Sequence, residues 1–448
     1  MLSLRRLVRF WAKLDAPVDR VPYFLNGFGL AVVKYVGDVS LIWLLTGSFW
    51  KPTDYLYTTH SLYLTKLGAS EDLIPALVFW ALPFLWIGII LTFRRLMDAG
   101  LSPWWALAFF VPFLNYILMG ALCLIPISLR SVPSEAALEK PGGKRLRSAV
   151  LGIVAGVFFA LMVLAAAILL NGEYGYTLFF GAPFGMSALS AFLFNRGYEG
   201  TFKETFQVCI LALLCVAGVL VLFAYEGLLC IAMAIPVGLV VSLLGAVTGR
   251  AMARMGQRVL PSAMSMMVLL PIFAALEPPN VSGIVVQEVR SSVVIDAQPE
   301  VVWPHVIAFG PIPEPKDLLF RMGIAYPKYA RIDGVGVGAV RYCVFSTGPF
   351  VEPITDWEPG KRLGFDVTSS PDPLRELSLY ANLSPPHLHG YLRSLRGEFR
   401  LVALPGGHTR LEGSTWYEIR MEPGAYWRIW SDYLIHRIHD RVLEHIKA

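Results

Sequence analysis

The chain has 448 residues, 55% of them hydrophobic and 16% charged, with a mean hydropathy of +0.56, which is too apolar for a soluble protein of this length. Its net charge of +5 is uneven: residues 1–278 carry 20 Lys/Arg against 14 Asp/Glu, and residues 279–448 carry 18 against 19. The basic excess thus belongs to the apolar part and reads as topology signal, and with no basic stripe of interleaved aromatics in residues 279–448, nucleic-acid binding is not expected.

Residues 1–20, MLSLRRLVRFWAKLDAPVDR, are basic and mildly amphipathic. They lack the roughly 7–15-residue apolar core and the cleavage site of a signal peptide, which predicts a short interfacial helix. A bilayer core of ~30 Å needs about 20 apolar residues per helix. On that criterion spans are predicted over 24–47, 73–93, 148–170, 176–195, 207–225, 227–249 and 262–277, the last short and interrupted by Pro271. Lys34 and Asp38 lie four apart in the first span and face the same side of a helix, where pairing lowers the cost of either charge in hydrocarbon. Such a pair is a functional-site candidate or a self-neutralising structural pair, and the sequence leaves both open.

Residues 104–127 are long enough to span, but Pro112 and Asn115 interrupt their centre. If they cross once with the N-terminus inside, the basic loop 129–147, and Arg196, Lys203, Arg250, Arg254 and Arg258, all fall outside, against the positive-inside rule. If they form a re-entrant hairpin, 17 of the 20 Lys/Arg fall inside. An outside N-terminus with a spanning 104–127 leaves 12 inside and 7 outside. Both acceptable arrangements put residues 279–448 on the outer, periplasmic face.

Just before this run stands RRLMDAGLSPWW, in which Arg94 and Arg95 are expected to anchor a helix end to anionic headgroups, Asp98 to pair with an arginine nearby, and Trp104 and Trp105 to sit at the interface. The stretch resembles the signature of a bacterial inner-membrane family of unknown function: Arg94, Arg95, Leu96, Asp98, Trp104 and Trp105 match, and Met97 replaces a histidine. The resemblance covers residues 20–128 and implies a membrane module in the inner membrane with no assigned reaction. The expected domains are therefore a membrane domain over 1–128, a basic cytoplasmic loop over 129–147, about five helices over 148–278, and a separate module over 279–448.

Of the five cysteines only Cys343 lies in that last module, so no disulfide can form within it. From Val285 the period changes. VVQEVRSSVVID reads as a strand and AQPEVVWPHVIAF as a short helix with Trp303 inward. GVGVGAVRYCVFSTG and PFVEPITDWEPGKRLGFDV read as strands, the second pair joined at a Pro-Gly corner, and a Pro-rich stretch over 370–390 reads as a lid. GEFRLVALPGG and HTRLEGSTWYEIR form a last hairpin, and a helix over 425–447 carries Trp427, Trp430, Leu434, Ile438, Val442 and Ile446 in one stripe. This order resembles the START-like helix-grip superfamily of polyketide cyclase/dehydrase and lipid-transport proteins. The resemblance implies an α+β domain whose antiparallel sheet wraps a long C-terminal helix around an apolar cavity for a hydrophobic or lipid-like ligand.

Trp430, Leu434 and Ile438 on the helix, with Arg341, Tyr342 and Trp416 on strands, are the candidate ligand-binding residues, although each helix position is equally suited to ordinary core. Alternation puts Arg341 and Tyr342 on opposite faces. An inward Arg341 would need Glu352, Glu412 or Glu418, and such a pair could hold an anionic headgroup; an outward one is a solvated charge. Seven of eight histidines fall in this module; His389 and His439 are the candidate general bases, and His436 and His439 share a helix face. No Cys/His or H-E-x-x-H grouping offers a metal site and no cofactor motif appears. Membrane lipids and a hydrophobic small molecule are the expected partners. Binding of such a ligand is the favoured activity, with a cyclase- or dehydratase-type enzyme and a transmembrane sensor as alternatives.

Overall fold

The computed structural model describes residues 10–11, 17–56, 73–111, 114–126, 141–170, 174–255, 286–378, 385, 388 and 390–448. The span expected at 262–277 and most of the expected N-terminal interfacial helix lie outside the described residues. Contacts divide the chain into two units, one within residues 1–278 and one made of residues 279–448 with the short segments 173–175 and 227–233.

The first unit is helical: α1 (Arg20–Thr46), α2 (Leu73–Asp98), α3 (Leu114–Leu124), α4 (Pro141–Leu164), α5 (Ala182–Gly197), α6 (Phe202–Leu222) and α7 (Leu228–Arg254), whose start as far as Met233 belongs to the second unit. Among the described residues, six stretches are long and apolar enough to cross a membrane: Arg20–Thr46, Phe79–Asp98, Gly143–Ala167, Thr177–Gly197, Phe202–Leu222 and Leu228–Arg254. Local chemistry sets the helix ends. The Asp19 side chain accepts from Arg20 N at the start of α1, Gly47 closes it in the left-handed conformation, and α6 begins with a Thr201/Glu204 capping box. Small residues let α5 approach its neighbours closely. A Cβ at Gly156 of α4 would lie 2.1 Å from Ser190 Oγ, and one at Gly249 of α7 would lie 2.0 Å from the Ala188 carbonyl oxygen.

The segment after α2 folds back beside it. A 3-10 helix, Pro103–Phe110, descends beside α2 until Phe109 packs on Gly88. The 11 residues of α3 then return, reaching only about 16 Å at 1.5 Å per residue. At the end of this return, Arg95 Nε donates to the Leu122 carbonyl at 3.0 Å and Arg95 Nη2 to the Ile125 carbonyl. The chain therefore leaves and returns at the same end of α2, as a hairpin lying along it.

In the second unit, β1 (Gln287–Ile295) is followed by α8 (Pro299–Ile307), α9 (Leu318–Arg321), β2 (Pro327–Asp333), β3 (Val340–Phe345), β4 (Pro349–Glu358), β5 (Arg362–Asp366), β6 (Leu392–Leu404), β7 (His408–Ile419) and α10 (Gly424–Lys447). The strands form one sheet in the order β1-β7-β6-β5-β4-β3-β2, antiparallel throughout. α10 touches both edge strands, β1 and β2, so the sheet curls around it. This is the helix-grip arrangement. β2 and α9 have no counterpart in the expected element order: PKYARID alternates charge with apolar residues too weakly, and α9 is a single turn held by the Asp317 side chain on Leu319 N. The core lies between sheet and helices, with Trp303, Val306, Ile354, Leu363, Phe365, Leu401, Leu411 and Leu443 buried together.

Candidate functional site

Strand parity defines which side chains look at α10. Cys343 and Phe345 of β3 pack with Val442 of α10, and Leu411 of β7 packs with Leu443. The odd-numbered positions of β3 and β7 therefore line the concave face, and the even-numbered ones face away. Arg341 is concave and 1% exposed, which settles its orientation. It ion-pairs with Glu352 on β4, donates from Nε to the Ile307 carbonyl at 3.1 Å, and lies within 6 Å of the rings of Phe309, Phe365 and Phe399. Burial pushes the Glu352 carboxyl above the usual carboxylate range, against the pull of Arg341. Burial also lifts the Cys343 thiol to about 12, so it stays neutral.

The same parity corrects two candidates. Tyr342 and Trp416 sit on the convex face, where Arg331 lies 4.2 Å from the Tyr342 ring centroid and Arg396 lies 5.2 Å from that of Trp416. Neither faces α10. Leu434 and Ile438 do line an apolar cluster, with Phe320, Ile324, Leu374 and Leu388. Trp427 at the start of α10 is buried, and Trp430 is half-buried one turn short of Leu434. His387 and His389 lie outside the described residues, as does part of the expected lid.

A polar seam joins α10 to the sheet. Ser291 Oγ of β1 stands 2.8 Å from His436 Nδ1 and 3.2 Å from His439 Nδ1, and His439 Nε2 stands 2.8 Å from Thr415 Oγ1 of β7. Nearer the helix start, Tyr417 donates its hydroxyl to Asp432 at 2.6 Å. Ser291, Thr415 and Tyr417 were not among the candidates. The signal that marks them is parity, since each shares the phase of Leu411 or Val289. The other contacts of α10 clamp the α9 segment: Arg437 pairs with Asp317 at 2.5 Å, and Arg441 donates to the Pro313 and Pro327 carbonyls.

Enclosure, with His436 close by, lowers the His439 pKa from 6.5 to about 4. The imidazole is neutral in the fold at pH 7, while the unfolded chain takes up the proton near 6.5. Its contribution is therefore complete above pH 6.5 and lost as pH falls towards 4, by up to about 3 kcal/mol. Unfolding midpoints between pH 7.5 and 4.5 should fall more steeply for the native chain than for His439→Gln, and parallel slopes would refute this.

In the first unit, Lys34 Nζ contacts Asp38 Oδ2 at 2.5 Å, and the Tyr55 hydroxyl reaches the same oxygen from the 3-10 turn after α1. The pair is thus buried against protein at Asp38 and partly open at Lys34. The expected headgroup anchors are corrected: Arg94 and Arg95 are 2% and 0% exposed. Arg94 donates to the Phe10 carbonyl, and Arg95 pairs with Asp98 while it closes the hairpin, so both face protein acceptors. Trp104 and Trp105 are exposed. Among the described residues, no group of three or more His, Cys, Asp or Glu is placed to hold a metal ion.

The chain is thus a membrane protein carrying a helix-grip module. Residues 18–136 match the model of a family described as "Protein of unknown function (DUF805)". None of the curated proteins matches the chain. Solved structures with some likeness include a protein from Nitrosospira multiformis (17% identity, 36% of this chain and 94% of that one, TM-score 0.24). They also include norcoclaurine synthase from Thalictrum flavum with dopamine and hydroxybenzaldehyde (12%, 37% and 86%, 0.25). A third is the Zhui aromatase/cyclase from Streptomyces sp. R1128 (13%, 36% and 92%, 0.23). TM-scores this low carry no argument; the helix-grip arrangement stands on the strand order and the curled sheet.

Proposed function

We propose that the helix-grip module binds a hydrophobic, lipid-like ligand between its sheet and α10, and that the membrane helices tether this activity to a lipid surface. One observation carries the reading: Phe350, Phe399, Leu434 and Ile438 belong to the apolar interior yet keep part of their surface accessible, as walls of a ligand site do. Apolar ligand area leaving water contributes ~25 cal/mol per Å², and tethering raises the effective concentration near lipid. The charge distribution and the re-entrant hairpin support an outer-face module when 262–277 is counted as a span. Full chain purified from a lipid-rich host is expected to release one hydrophobic species, near one per chain, on solvent extraction. Leu434→Trp, which fills the groove, should remove it, and extracts indistinguishable between the two chains would overturn the reading.

A second reading, an enzyme acting on a lipid-like substrate in the same site, has one observation in its favour. His439 is unprotonated at pH 7 and holds the Thr415 and Ser291 hydroxyls on its two nitrogens, so it reaches a substrate proton through one of those hydroxyls.

A further inference from the structure

The charges of the second unit restrict what its concave face can accept. Of its buried charged side chains among the described residues, Arg341 and its partner Glu352 lie at the concave face, Glu418 faces away from it, and Glu376 lies off the sheet. Arg341 and Glu352 neutralise each other. The Glu376 carboxylate accepts from the backbone N–H groups of Leu229 and Cys230, and Glu418 pairs with Arg420 at 2.9 Å. The Cys343 thiol is neutral. An anionic headgroup brought to Arg341 would have to displace Glu352 and leave that carboxylate buried and unpaired.

The seam around His439, by contrast, ends in a hydroxyl with hydrogen-bonding capacity to spare. If Thr415 donates to His439 Nε2, then His439 Nδ1–H donates to Ser291 Oγ, and Ser291 donates to His436 Nδ1. Each proton in that chain is used once, and the Thr415 oxygen keeps lone pairs that accept a ligand hydroxyl. If the chain runs the other way, His436 Nδ1–H donates to Ser291, Ser291 to His439 Nδ1, and His439 Nε2–H to Thr415. The Thr415 hydroxyl proton is then free for a ligand carbonyl. Thr415 is half-buried on the concave side, beside Gly413, whose missing side chain leaves Phe399 and Leu443 at least 3.6 Å from where a Cβ would stand.

From this we infer that the ligand is a neutral amphiphile with one hydroxyl or carbonyl, held at Thr415, and that anionic lipids are rejected. The inference rests on the proposed hydrophobic-ligand reading. Three probes of one chain length separate the two ideas: hexadecan-1-ol, hexadecyl sulfate and hexadecane, each offered to the full chain in neutral detergent and counted as adducts by native mass spectrometry at pH 7.5. The alcohol should bind at least about tenfold better than the sulfate. Thr415→Val should lower alcohol binding by about tenfold and leave hexadecane binding unchanged, which also reports that the variant is folded. Sulfate binding equal to that of the alcohol overturns the neutral-ligand inference while the hydrophobic-ligand reading stands. Binding of none of the three overturns both.

Discussion

Arg341→Met should destabilise the helix-grip module by about 3–5 kcal/mol, because it leaves the Glu352 carboxylate without its cation in a site closed to water. Arg341 is 1% exposed and Glu352 5%, and three phenyl rings surround the guanidinium. No water can replace the lost partner at so little exposure. Glu352→Leu alone should cost a similar amount, since it strands the cation instead. The double variant Arg341→Met/Glu352→Leu should recover most of the loss, because two apolar side chains of similar volume need no partner. Proteolytic susceptibility of the full chain across a urea series measures all three. Additive single effects in the double variant would show that the two side chains do not act as a pair.

Much of the architecture was legible in the sequence because it is written in hydropathy and period. The first span was expected at 24–47 and α1 runs Arg20–Thr46; the terminal helix was expected at 425–447 and α10 runs Gly424–Lys447. The hairpins at the Pro-Gly corner and at the Pro-Gly-Gly turn are in place as β4–β5 and β6–β7. Period, however, does not give phase. In β7 both faces carry an aromatic, Trp416 on one and Tyr417 on the other, so alternation alone could not say which meets the helix. The phase becomes visible only when Leu411 and Thr415 are seen against Leu443 and His439. The seam itself was half legible: His436 and His439 were expected on one helix face, but their partner Ser291 lies about 145 residues upstream in a strand with no chemical signature.

Arg94 and Arg95 depart from the sequence expectation for a different physical reason. A cation at a helix end beside paired tryptophans is the usual mark of an interfacial anchor. The acceptors that bury Arg95 are main-chain carbonyls at Leu122 and Ile125, and carbonyls leave no trace in a sequence. Only the broken run at Pro112 and Asn115, with the positive-inside count, hinted that the chain turns back.

Arg95→Ala should therefore unseat the hairpin. The substitution removes the donors for two carbonyls at the end of α3 and strands Asp98, and where no water is at hand each unsatisfied group costs several kcal/mol. The expected loss is about 3–5 kcal/mol. Arg95→Lys should recover only the contact with Asp98, because one ammonium cannot reproduce the planar fork that reaches Asp98 and both carbonyls. The readout is topological. In a background with the five cysteines replaced, Ser102→Cys and Pro126→Cys, both at exposed positions flanking the hairpin, should react with a membrane-impermeant maleimide from the same side of the membrane. With Arg95→Ala added, labelling at 126 should lose its sidedness or the chain should be degraded, while Ser102→Cys alone reports that α2 is still inserted. Labelling of 102 and 126 from opposite sides in the otherwise native chain would mean that the segment crosses. The buried guanidinium would then have to be explained as a helix cap within a crossing segment, which its simultaneous reach to both ends of the turn argues against.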